Sequence, residues 1–197
     1  MKVTPYQIDA LTELINIGVG RAAGMLNQII EAHVYLQVPS IKIFSYAHLE
    51  QILNYVAATS LSVVRLAFKG SFSGTALLAF PPESASNLVN LLIGEESDIS
   101  DLDSIRVGAL TEVGNIVLNG VMGSMSNILH ERLMYSIPVY IEDTIDHLLR
   151  EDNLGADSAI ILAETALHIE KLRIQGNIVL LFRVDLFNTL IKALEMM

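Results

Sequence analysis

The sequence predicts an α+β fold, internally duplicated and pseudo-twofold. A mostly antiparallel central sheet is expected, with two long helices bearing the sites. Three observations predict it. First, the 197 residues are 52% hydrophobic, enough for one full core. Second, the order helix, strand, short helix, two strands, helix is written twice along the chain. Third, a short pattern recurs in register: Leu11-Thr12-Glu13-x-x-Asn16-Ile17 matches Leu110-Thr111-Glu112-x-x-Asn115-Ile116, and Pro39 matches Pro138 at the same offset. We expect a single domain over residues 1–197, with repeats over about 4–93 and 100–195. Half this length would give only a marginal core, so the halves should pool their strands.

The elements follow in order. Thr4-Pro5-Tyr6-Gln7 offers an N-cap, a proline at the first helical position and a capping-box Gln. Ile8, Leu11, Ile15, Met25, Leu26, Ile29 and Ile30 then recur at helical spacing to about Glu31. Pro39 lies in an extended stretch from Val34 to Phe44, and a short helix is expected near Ala47–Leu53. TSLSVVRLAF and GTALLAF read as strands, and Pro81-Pro82-Glu83 opens a helix through SASNLVNLLI. The acidic GEESDISDLDS stretch connects the halves. In the second half, a long helix is expected from Leu102 to Arg132, an extended stretch around Pro138, and a short helix over Thr144–Arg150. SAIILAETALHIE and GNIVLLFRV should be strands, and DLFNTLIKALE a closing helix.

Composition excludes several classes of function. With no cysteine there is no disulfide, zinc–thiolate site or thiol nucleophile, which fits a cytoplasmic protein. A net charge of −10 argues against nucleic acid and suits a partner with a basic patch. The N-terminus lacks a signal-peptide pattern. The uncharged run VGNIVLNGVMGSMSNIL is interrupted by Asn and Ser, so we expect a buried helix and no membrane partner. Metal ligation is not expected: the five histidines lack ligand spacing, and the acids near Glu95 lack the order of a calcium loop. Met122, Met125 and Met134 read as core filler.

The glycines at 18, 20 and 24 imitate a phosphate loop, but they fall well inside a helical pattern with no strand before them. Amides inside a helix are already bonded and cannot cradle a phosphate. Glycines recur at 114, 120 and 123, and close helix packing accounts for most of them. Glu13, Asn16, Gly20, Ala23 and Asn27 share one helical stripe, mirrored by Glu112, Asn115, Asn119, Met122 and Ser126. Such a stripe is expected to let another backbone come close.

Asn is a mediocre helix former, so its mid-helix recurrence one turn after a Glu calls for a reason. The pattern resembles that of the CheC/CheX/FliY phosphatases of bacterial and archaeal chemotaxis: Asp or Ser, three residues, Glu, two residues, Asn, twenty-two residues, Pro. Asp9, Glu13, Asn16 and Pro39 fit it throughout; Glu112, Asn115 and Pro138 fit all but the first position, which is Gly108. The resemblance covers essentially the whole chain and is closest to a two-site CheC-like protein. It implies hydrolysis of the aspartyl phosphate on a CheY-like response regulator. Asn16 and Asn115 would orient the attacking water, since a neutral amide both donates and accepts. Glu13 and Glu112 complete the catalytic set, more as docking groups than as bases. Asp9, Gly20 and Asn119 would meet the partner. No cofactor is expected on the chain itself; Mg²⁺ would sit on the regulator. The resemblance also implies CheD, a receptor deamidase, as a possible partner. A non-catalytic adaptor for a regulator or CheD is the alternative.

Overall fold

The computed structural model describes residues 3–30, 33–45, 60–70, 73–93, 102–128, 130, 132–151, 158–169 and 172–195. The short helix expected near Ala47–Leu53 and the acidic connection after Gly94 lie outside the described residues.

The elements run α1 (Pro5–Ile30), β1 (Val34–Ser45), β2 (Leu61–Lys69), β3 (Gly74–Phe80), α2 (Pro82–Ile93), α3 (Leu102–Ile128), β4 (Met134–Tyr135), β5 (Val139–Asp143), α4 (Ile145–Glu151), β6 (Ser158–Ile169), β7 (Leu172–Arg183) and α5 (Val184–Glu195). The capping box at the start of α1 is formed. Thr4 N–H donates to Gln7 Oε1 at 2.8 Å, and Gln7 N–H reaches Thr4 Oγ1 at 3.3 Å. The second long helix is shorter than its apolar pattern. It ends at Ile128, and His130 takes a left-handed φ of 53°, a conformation that stops helix propagation.

Seven strands form one antiparallel sheet in the order β1-β6-β7-β3-β2, with β4 and β5 both on the outer side of β2. Exchanging β1 with β5, β2 with β6 and β3 with β7 maps the order β1-β6-β7-β3-β2-β5 onto itself. The strands of the two halves therefore interleave. Among the described residues, β1 pairs only with β6 of the other half, and β5 only with β2.

Period-two alternation divides the strand residues between two cores. Val64, Leu66, Ala76, Leu78, Ile161 and Leu180 face the larger one, with side chains from α1, α2, α3 and α5. Leu61, Val63, Leu77, Ala79, Ile160 and Val179 face a smaller one, closed by Leu148 and Leu149 of α4. α3 is buried nearly all round its middle, as Val113, Ile116, Val117, Leu118, Val121, Met122 and Met125 show. Three residues depart from the expected pattern. Met134 is 72% exposed and is not core filler; it lies on the two-residue strand β4 beyond the packed sheet face. Met25 and Ile29 fit the helical period but lie on the solvent side of α1.

The helix glycines divide into two kinds. At Gly18 an added Cβ would lie 2.5 Å from the Val121 Cα and 2.7 Å from the Gly120 carbonyl oxygen; at Gly120 it would lie 2.7 Å from the Gly18 oxygen. Here α1 and α3 meet backbone to backbone, a distance only glycine permits. Gly114 makes room in the same way for Val64 of β2. Gly20, Gly24, Gly108 and Gly123 have nothing within 4 Å of an added Cβ. Close packing thus explains the first three and not the other four.

Candidate functional site

α1 and α3 carry the expected residues. Asp9 and Glu13 are exposed on α1, Glu112 is exposed on α3, and Gly20 and Gly108 are also at the surface. Asn16, Asn115 and Asn119 are half-buried. The expected stripe is not one continuous surface, because Ala23 and Met122 turn into the core. Asn27 is also engaged: its Oδ1 accepts the Val34 N–H at the start of β1.

Asn16 has a specific mechanical job. Its Nδ2 donates to the Val38 carbonyl at 3.0 Å, and its Oδ1 accepts the Val38 N–H at 2.9 Å. The carboxamide thus imitates a neighbouring strand, supplying one donor and one acceptor to the edge of β1. The place is where β1 is irregular. Its register against β6 shifts between Gln37 and Ser40, and Pro39 has no N–H to give to a ladder. The spacing of twenty-two residues from Asn to Pro therefore has a physical meaning in the first half: it is the length of chain that returns β1 to its own helix.

Asn115 is held differently. Its Oδ1 accepts an N–H from Asn119 Nδ2, one turn along α3, at 2.5 Å. Its own Nδ2 has no partner among the described residues. Asn115 Nδ2 is not one of the sealed, unpaired side-chain atoms among them, of which Arg106 Nε is the only one. The segment before Pro138 is held by other groups: Ser136 N–H donates to the Ala67 carbonyl at 2.9 Å, and Ala67 N–H to Ser136 Oγ at 3.0 Å. Ile137, the counterpart of Val38, is 85% exposed.

Other polar groups were not singled out by motif. Arg21 donates to the buried Ser124 Oγ at 3.2 Å and ties α1 to α3. Tyr140 donates to Glu142 at 2.6 Å and lies 3.1 Å from Ser62 Oγ. Burial first, and the Glu142 carboxylate second, push its phenol above the usual tyrosine range. The Arg21–Ser124 and Tyr140–Ser62 contacts join residues far apart in sequence, and no local pattern announces them. A small void lined by Leu36, Leu78, Phe80, Val113 and Val117 measures about 10 Å³, too little for a substrate. No helix among the described residues is long and apolar enough to cross a membrane.

A family model described as "Chemotaxis phosphatase CheX" matches residues 62–160, just over half of the chain. The chain belongs to the CheC/CheX/FliY family. Among its relatives, the CheY-P phosphatase CheC of Bacillus subtilis is 26% identical over 150 residues, covering 74% of this chain and 70% of the relative. Thermotoga maritima FliY has the same fold, with a TM-score of 0.78 at 18% identity, over 99% of this chain and 98% of the other. A CheX from Borrelia burgdorferi, solved as a CheX-CheY-BeF3-Mg complex, aligns with a TM-score of 0.53 at 17% identity over 87% of this chain and 99% of that one. The family is thus one of chemotaxis phosphatases, and its fold is the α+β sheet-and-helix arrangement found here.

Proposed function

We propose that this chain hydrolyses the aspartyl phosphate of a CheY-like response regulator, using helix-borne Asn side chains to steer the attacking water. The observation that carries this reading is the state of Asn115. It is a half-buried neutral carboxamide fixed at Oδ1, with Nδ2 unpaired among the described residues, three residues after the exposed Glu112. The family membership and the B. subtilis relative named a CheY-P phosphatase support the substrate class. The neighbour crystallised with CheY, BeF3 and Mg supports a receiver domain as the partner.

The chemistry asks little of this chain. The regulator holds the acyl phosphate and its Mg²⁺. What a helper adds is a water placed in line with the leaving oxygen. An amide can donate to that water or accept from it, and it brings no negative charge to the phosphoryl oxygens. A hundredfold acceleration requires about 2.7 kcal/mol of barrier lowering, within the reach of positioning. Asn16 would serve the first site through its second N–H and lone pair, the first of each being committed to Val38. Glu13, Glu112 and Asp9 would meet basic groups of the regulator, and Gly20 would allow close approach.

A second reading has its own support. The pair of hydrogen bonds between Asn16 and Val38 favours a first face that binds without catalysing, as an adaptor for a regulator or for CheD. Phosphate release from an acyl-phosphate-loaded receiver domain separates the readings. The wild type is expected to accelerate release, and the Asn16→Ala/Asn115→Ala double variant to lose that acceleration. Binding without acceleration would establish the adaptor.

A further inference from the structure

Positions 16 and 115 are equivalent in the motif, yet their carboxamides are anchored by different partners. Asn16 is gripped at both polar atoms by the backbone of Val38. Asn115 is gripped at one, by Asn119. The residue of α1 corresponding to Asn119 is Gly20, which has no side chain and open space around it. So the first helix relies on a strand to orient its amide, and the second relies on a residue of its own.

A terminal amide has two orientations related by a flip, which exchange the donor and acceptor ends. A donor held against Oδ1 selects one of them. We propose that Asn119 is a positioning residue: its N–H holds the Asn115 carboxamide in the orientation that presents Nδ2 outward. The inference rests on the reading of Asn115 as the water-steering group. With Oδ1 anchored through one lone pair, the amide keeps two N–H donors for a water or a phosphoryl oxygen. Without Asn119 the amide samples both flips and rotates about χ2, and part of the population presents the wrong end. The motif does not include position 119, so this device belongs to the second helix of this chain.

Two measurements on the full chain test it. The first needs no activity. In side-chain amide NMR, Asn115→Ala is expected to shift the Asn119 NH₂ resonances, and Asn119→Ala to shift those of Asn115. Unmoved signals would overturn the pairing. The second is steady-state phosphate release from a phosphorylated CheY-like receiver domain. Asn119→Ala is expected to lower kcat about threefold to tenfold, bounded by the loss in Asn115→Ala, with KM within about twofold. Asn119→Asp keeps the shape but offers no donor, so Asn115 turns its Nδ2 inward and kcat falls at least as far. Asn119→Gln restores the donor and part of the rate. In the Asn115→Ala background, Asn119→Ala should have no further effect. Unchanged kcat in both the Ala and Asp variants, or a loss that persists without Asn115, would overturn the role. A wild type that never accelerates release would instead defeat the phosphatase reading, while the NMR result still decides the pairing.

Discussion

Asn16 and Asn115 show how one residue type at one motif position does two kinds of mechanical work. Asn16 satisfies a donor and an acceptor at a strand irregularity; Asn115 leaves its donor end unpaired among the described residues. Removing the first should strand two backbone groups of the buried Val38, at about 1–3 kcal/mol. Removing the second strands no backbone group. Urea unfolding should therefore show a clear loss of stability in Asn16→Ala and a smaller loss in Asn115→Ala, where only the side-chain bond to Asn119 is given up. Equal losses would mean that both are clips. The candidate residues themselves were legible from the sequence, because repetition in register marks them. Their partners were not. Val38 is twenty-two residues from Asn16 and contributes only backbone, which no residue pattern encodes.

At the scale of the element, the long helices were legible from capping and periodicity, and the glycines within them were only partly so. A helix records which residues share a face, not which face meets a neighbouring backbone. Gly18 and Gly120 sit at the α1–α3 crossing, whereas Gly108 faces open space. Gly18→Ala should push the helices apart and cost about 1–3 kcal/mol or more through overpacking against backbone. Gly108→Ala should do the opposite, raising stability by up to about 1 kcal/mol through helix propensity alone. Thermal melting of the two variants tests the contrast, and a Gly108→Ala variant that melts earlier would contradict the open space at that position. The helix end was misjudged for a related reason. The pattern was read on to Arg132, yet the left-handed backbone at His130 has already turned the chain.

Across the whole molecule, the sheet interleaves the two halves. Among the described residues, β1 and β5 each pair only with a strand of the opposite half. A fragment of residues 1–93 would expose the β6-facing edge of β1 and the β7-facing edge of the apolar β3, and would lose the α1–α3 crossing. Neither 1–93 nor 100–197 should fold alone, while co-expression should recover a soluble complex. Circular dichroism of the separate and mixed fragments is the check; an independently folded half would show that the core divides. The recurrence in the sequence led to an expectation of pooled strands, and the sheet contains strands of both halves. The order in which they alternate could not be read from it, because pairing partners are chosen in three dimensions.

The sequence alone determined the element types, the two motif-bearing helices, the capping box and the residues to watch. Each depends on interactions within a few turns of chain, and spacing records them. Only the tertiary structure decided which glycines are obligatory, that Asn16 grips a strand while Asn115 leans on Asn119, and that Met134 faces water. Those outcomes depend on what packs from the far end of the chain. Hydrogen bonds to backbone and contacts at van der Waals distance leave no mark in residue identity until the chain has folded.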